Sequence, residues 1–408
     1  MTVTIQDIET AAATIAGDVL HTPTVPAPGL SQVLGCDVRL KLENLQLTGS
    51  FKARGARYRL GALDPATTSG VIACSAGNHA QGVACFSERM GIPATIVMPR
   101  GTPFAKIEST ERYGARVILE GADFSEAQAR TREIAQSESL VFIPPFDDEL
   151  IIAGQGTAGL EMITDAPDLD TVIIPIGGGG LIAGCAIAMK VRKSELEIIG
   201  VQVESYATMQ AAIDGKPATG GGATLAEGIA VKSPGQITTS IVRELVDDIV
   251  VVDEAAIENA VELLADTARV VAEGAGAAVL GAVMENTDRF TGRTVGLMVS
   301  GGNIDMRLFA SVLLRGLVRG GQLVRLRVQI PDSPGQLARV STLIGEAGGN
   351  IVEIVHQRMF YNVPVKHTEL DVVVETRNAR HAAELVTSLE RAGLSTRLLS
   401  DVTGIGSG

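Results

Sequence analysis

Lys52 is the residue of this sequence best suited to covalent chemistry. It stands in the stretch Thr48-Gly49-Ser50-Phe51-Lys52-Ala53-Arg54-Gly55, between a glycine-bearing loop and what reads as the start of a helix. A lone loop lysine is ordinarily a solvated surface charge. Held neutral, its amine is a nucleophile toward carbonyls and a base toward acidified C–H bonds. Neutrality near pH 7 requires a dry, electropositive neighbourhood.

Three glycine turns supply the company such an amine needs. Gly177, Gly178, Gly179 and Gly180 follow the buried strand Thr171-Val-Ile-Ile-Pro-Ile and precede an apolar helix from Leu181 to Lys190. Without side chains, their N–H groups can converge on an anion at the helix N-terminus. A plain strand-to-helix turn needs one or two glycines, not such a run. The pattern is not GxxxxGK[ST] and meets GxGxxG only loosely, which argues against a nucleotide triphosphate site. Ser75-Ala76-Gly77-Asn78-His79 is a second turn of this kind, suited to a carboxylate. Asn78 can donate or accept in the plane of an aromatic ring. His79 reads either as a base or as a packing or capping residue. Ser300-Gly-Gly-Asn303 is the third turn; its hydroxyl suits a ring nitrogen or a helix cap.

Repeated strand, glycine turn and helix should position these groups. Thr4 and Asp7 open a helix expected to run to about Leu20, and a proline-stiffened irregular segment follows from His21. Val38–Glu43 alternates as a strand. Strands follow at Val71, Ala94, Ala115, Leu140, Thr171, Ile198, Ile249 and Thr294, with helices between them. That alternation predicts parallel sheets covered by helices, with ligands at the carboxyl ends of strands. Composition shifts after Arg319. Strands at Leu323–Ile330, Asn350–Phe360, Lys366–Glu375 and Ser395–Leu399, with helices at Gln336–Ala347 and Ala379–Ala392, give the order βαββαβ of a small separate domain. The tail from Gly404 reads as frayed.

The chain has 408 residues, 46% of them hydrophobic and 20% charged, which describes a globular protein of two or three domains. A net charge of -13 argues against nucleic acid or an anionic membrane as partner. Cys36, Cys74, Cys85 and Cys185 show no CxxC pairing and read as reduced cytoplasmic thiols. Neither a signal peptide nor a membrane-spanning apolar run is expected.

Taken together, Ser-Phe-Lys52-Ala-Arg-Gly, Ser-Ala-Gly-Asn78-His-Ala, Gly177 to Leu181 and Ser300-Gly-Gly-Asn resemble the threonine dehydratase (threonine ammonia-lyase) family of fold-type II pyridoxal phosphate enzymes. The resemblance covers residues from about 5 to 320. The C-terminal part resembles an ACT domain through Asp332-Ser-Pro334-Gly335-Gln-Leu337 and Gly349-Asn350-Ile351. It implies an α/β catalytic domain over 1–320, with a smaller subdomain of about 49–155 inserted in a larger one, and an ACT regulatory domain over 321–408. Lys52 would carry pyridoxal phosphate as an imine beside Phe51. Asn78 would bond its ring hydroxyl, Gly177–Leu181 its phosphate, and Ser300 its ring nitrogen. The Ser75–His79 turn would receive the substrate carboxylate. Glu204, at a strand end, resembles a cation-holding carboxylate; Ser205 to Gln210 depart from the divalent pattern, so a monovalent ion or none is expected.

The implied reaction is elimination of water from L-threonine to give 2-oxobutanoate and ammonia, with L-serine as a slower substrate. An uncharged serine at the ring nitrogen weakens the electron sink and favours prompt β-elimination. A homo-oligomer, dimer or tetramer, is implied, with isoleucine or valine as effector at the ACT domain. Alternatives stay open: a catabolic rather than biosynthetic role, a β-replacement enzyme, a silent dimerisation module at the C-terminus, or an amino-acid sensor whose catalytic domain has decayed. Racemisation fits poorly, because racemising relatives carry serine where Ala76 stands, and alanine transfers no proton.

Overall fold

The computed structural model describes residues 2–218, 220–357 and 366–399. It divides into two compact units, Met1–Asp305 and Met306–Gly408. The helix Met306–Arg319 belongs to the second unit, whereas composition shifts only after that helix.

The first unit is built on two sheets. Its six-stranded sheet runs in the order Thr24–Pro26, Asp37–Leu42, Thr294–Val299, Thr171–Pro175, Glu197–Val203, Asp248–Val252. All neighbours are parallel except the first pair. The smaller sheet is wholly parallel, in the order Arg116–Leu119, Ala94–Met98, Val71–Cys74, Val141–Phe142. Parallel strands need helical crossovers on both faces. The central strands are accordingly buried at every residue, as in Thr171–Pro175 and Val71–Cys74.

Two stretches near the N-terminus differ from the sequence reading. The first helix ends at Ile15, not near Leu20, because Gly17 takes a left-handed φ of +84° and reverses the chain. The proline-stiffened segment is not wholly irregular: Thr24–Pro26 pairs antiparallel at the sheet edge, where a proline lacking its N–H is tolerated. The capping box of Thr4 and Asp7 is present.

The second unit has the βαββαβ order. Its antiparallel sheet runs Asn350–Gln357, His367–Glu375, Leu323–Pro331, Thr396–Leu398. Leu323–Pro331 alternates buried and solvent-facing residues. Val324, Leu326, Val328, Leu370 and Val372 pack against Val340 and Ile344 of one helix and Leu385 and Leu389 of the other. Phe360, placed in a strand by the sequence pattern, and the tail from Gly404 lie outside the described residues.

Candidate active site

Lys52 is the first residue of the helix Lys52–Gly61. The loop before it turns at Gly49, whose φ is +70° and whose added Cβ would lie 2.3 Å from Asn303 Oδ1. Backbone bonds stitch this loop to the Ser300 turn. Phe51 N donates to Ser300 O at 3.1 Å, and Gly302 N donates to Gly49 O at 2.9 Å. The Lys52 amine donates to the Pro145 carbonyl at 2.7 Å and lies 5.3 Å from the Phe51 ring centre. Although the residue keeps some surface exposure, its amine sits among dense protein atoms. Burial pushes its pKa down to about 8, against the pull of Glu273. Roughly a tenth is therefore the neutral amine at pH 7, far more than for an ordinary lysine.

The glycine run turns the Thr171–Pro175 strand into the helix Gly180–Arg192. Gly179 has a φ of +96°, a conformation that favours glycine. An added Cβ at Gly178 would strike the Phe146 ring at 2.2 Å, and one at Gly177 would meet Gly228 O at 3.2 Å. The turn is held from behind. Thr238 Oγ1 donates to Gly178 O at 2.7 Å, and Asp147 accepts from the N–H groups of Gln236, Ile237 and Thr238. Among the described residues, the N–H groups of Gly177–Gly180 have no hydrogen-bond acceptor. Unbonded donors at a helix N-terminus fit a phosphate. Leu181 is buried in the first turn of that helix.

The Ser75–His79 turn leads from the Val71–Cys74 strand into the helix Asn78–Met90. Ser75 Oγ accepts from Gly77 N at 3.2 Å, which shapes the turn. Ala76 and Gly77 are half-buried. His79 takes the packing role of the two left open. Its Nε2–H donates to Ile143 O at 3.0 Å, and burial, aided by the Lys52 charge, pushes its pKa down to about 3.

Asn78 sits in a chain of amides. Its Nδ2 donates to Glu273 Oε1 at 2.7 Å, and its Oδ1 accepts from Asn303 Nδ2 at 2.8 Å. Asn303 also donates to Thr48 O at 2.7 Å. Burial pushes the Glu273 carboxyl up to about 7, while the Asn78 bond pulls the other way. Ser300 is buried at the end of the Thr294–Val299 strand. Glu204 is exposed, at the end of the Glu197–Val203 strand. Among the described residues no group of three or more His, Cys, Asp or Glu could hold a metal.

The sequence reading missed a closed charge network beneath Lys52. Arg54 is fully buried; it bonds Glu43 through Nε and Nη2, both at 2.8 Å, and Glu161 through Nη1 and Nη2, both at 2.7 Å. Buried Lys41 adds a 2.7 Å bond to Glu161 and a 2.6 Å bond to the Thr22 carbonyl. Burial, the largest single influence, acts to raise the Glu43 carboxyl, yet Arg54, Lys41 and the Thr22 hydroxyl together outweigh it and hold the group below the usual range. The two cations face Glu43 and Glu161, with Asp165 4.0 Å from Lys41, so the desolvated charges are compensated. The network ties the Lys52 helix to the Asp37–Leu42 strand and to the helix Glu149–Asp165. The available signal was Lys41 and Glu43 on one face of a strand, with Arg54 shortly after.

Two open α/β sheets, a helix-initial lysine with a weakened charge, and a glycine turn with free N–H groups at a strand's carboxyl end define the fold-type II class of pyridoxal phosphate enzymes. The chain belongs to the family of pyridoxal-phosphate dependent enzymes, which matches residues 15–301. It is 41% identical over 406 residues to the L-threonine ammonia-lyase of Thermotoga maritima, covering 97% of this chain and 100% of that one. Its fold is similar to a threonine deaminase from T.th., with a TM-score of 0.71 at 38% identity over 74% of this chain and 99% of that one. Maize serine racemase is also similar, with a TM-score of 0.72 at 33% identity over 78% and 99%. Among the described residues no helix is long and apolar enough to cross a membrane.

Proposed function

We propose that this enzyme is an L-threonine ammonia-lyase, converting L-threonine to 2-oxobutanoate and ammonia and L-serine more slowly to its own 2-oxo acid. The carrying observation is the near-full-length likeness to an L-threonine ammonia-lyase, on a chain whose Lys52 amine has a lowered pKa. Pyridoxal phosphate, when bound, supplies the electron sink that acidifies the substrate Cα–H. This chain's residues do the rest. The N–H groups of Gly177–Gly180 and Leu181 receive the phosphate. Asn78 and Ser300 meet the ring hydroxyl and ring nitrogen, and Phe51 borders the ring. The N–H groups of the Ser75–His79 turn that do not already donate to Val97 or Ser75, those of Ala76, Asn78 and His79, bind the substrate carboxylate. The Lys52 amine takes the Cα proton, and the β-hydroxyl departs with a proton as water. Water then releases the 2-oxo acid and ammonia, so the net reaction consumes none. Ala76 offers no proton from the opposite face, which supports elimination over racemisation. The test is a spectrum of protein isolated with vitamin B6 supplied, before and after L-threonine, with 2-oxo acid assayed. No imine band and no 2-oxo acid would refute the assignment.

The same reading gives the second unit a regulatory role for an isoleucine or valine effector, as expected of an enzyme feeding isoleucine biosynthesis. Supporting it is a cavity of about 190 Å³ lined by Asp332, Ser333, Pro334, Gly335, His356 and Thr368 at the strand-to-helix loop. Titration of either amino acid into an activity assay should shift the rate, and Ser333→Trp, which fills the cavity, should abolish the shift. Flat curves for both acids in the parent would remove the regulatory reading. A homo-oligomer in the cytoplasm completes the proposal; the four buried free thiols support the compartment.

A further inference from the structure

The Asn78 amide carries two N–H bonds and one oxygen, and its surroundings use all but one of these. Its oxygen accepts from Asn303, whose own second hydrogen is committed to the Thr48 carbonyl. One of its hydrogens goes to Glu273. A carboxylate can accept there, and a flipped Asn78 would place oxygen against oxygen at Glu273 and N–H against N–H at Asn303. The flip is therefore opposed twice. What remains is a single N–H, free to donate. Space for the carboxyl is made by small residues: an added Cβ at Gly301, beside Ser300, would lie 2.5 Å from Glu273 Oε1, and one at Gly228 would lie 3.3 Å away. The Glu273 backbone is held to the same turn, its N–H donating to Gly301 O at 3.0 Å.

We infer that Glu273 is a positioning residue for the cofactor: with Asn303 it fixes the Asn78 amide so that the remaining N–H points to the ring oxygen of pyridoxal phosphate. This rests on the site reading above, in which Asn78 meets that oxygen. Glu273 touches neither cofactor nor substrate in this role; it acts only through Asn78. The geometry explains why a half-buried carboxyl is retained at the start of the helix Gly274–Glu285, where partial desolvation disfavours the charge.

The test is cofactor affinity, measured by titrating apoenzyme with pyridoxal phosphate and following absorbance. Asn78→Ala should weaken binding about tenfold, the loss of one hydrogen bond to a charged oxygen. Glu273→Ala should weaken it by a similar factor, and Glu273→Gln, which can still present an oxygen to Asn78, by no more than about threefold. In the Asn78→Ala background, Glu273→Ala should add less than about twofold, because its effect passes through the amide. Parent-like affinity in Glu273→Ala, or an equal loss with and without Asn78, overturns the inference. Should Glu273→Ala fail to fold, Asn303→Ala reads the same amide from the exposed side, and parent-like affinity there overturns it equally. If Asn78→Ala itself binds like the parent, the site reading fails, and the inference falls with it for that separate reason.

Discussion

Glu43→Gln removes one charge from the closed network under Lys52 and changes almost no volume. Glu43 is fully buried and accepts from Arg54 Nε and Nη2 and from the Thr22 hydroxyl. A glutamine there turns one acceptor into an NH₂ group facing Arg54 donors. The network is left with Arg54 and Lys41 against Glu161, with Asp165 4.0 Å from Lys41, so the buried Arg54 guanidinium loses its fully buried anion. Removing one partner of a buried pair costs about 3–5 kcal/mol. For a unit of this size, about 2–3 °C of Tm goes with each kcal/mol, so Tm should fall by about 6–15 °C. Thermal unfolding followed by circular dichroism, at pH 7 and fixed cofactor concentration, measures it. Arg54→Met added to Glu43→Gln should recover part of the loss, because it removes the stranded cation. A fall below about 2 °C would refute the claim that these charges are desolvated and mutually dependent. So would a double variant less stable than the sum of the two single changes.

The apoenzyme should take up pyridoxal phosphate faster as pH rises, levelling above about 8 as Lys52 loses its proton; a stopped-flow rate still climbing at pH 10 would give it an ordinary lysine pKa. Gly178→Ala forces a methyl group into the Phe146 ring and should weaken cofactor binding at least tenfold, with the melting of the second unit unchanged. Glu43 and Asp371 have pKa values held below their unfolded ones, so their contribution is full above the unfolded pKa of about 4 and is lost as pH falls through the folded value. Acid unfolding monitored from pH 6 to 2 should therefore begin only below about pH 4, and stability unchanged to pH 2 would contradict it. Lys52→Ala should leave no lysine trapped by borohydride and lower turnover by at least about 10³-fold.

What the sequence made legible was local. A glycine run after an apolar strand, a lysine after a glycine loop, and β-strands alternating with helices each announce themselves within a dozen residues. Groups whose meaning lies in a distant partner stayed hidden. Lys41 and Glu43 alternate with leucines and so mimic a solvent face; the sheet buries both faces, and Glu161, the acid that pairs with Lys41 and Arg54, comes far later in the chain. Glu273 drew no functional reading because Asn78, its partner, stands 195 residues earlier in the chain. Thr24–Pro26 ends in a proline and is flanked by two more, which argue against a strand, and only the free edge of the sheet admits it. Asn303 was visible as part of a turn, but its bond to Asn78 was not.

The stitching of the Gly49 loop to the Ser300 turn has a consequence for biogenesis. The strand Asp37–Leu42 finds its parallel neighbour only at Thr294–Val299, and Ser50 bridges Gly301. A ribosome therefore exposes Lys52 long before it has made the wall that steadies it. Vitamin capture has to wait until the first unit is nearly complete, and a nascent chain stopped before Thr294 should emerge unable to hold the cofactor.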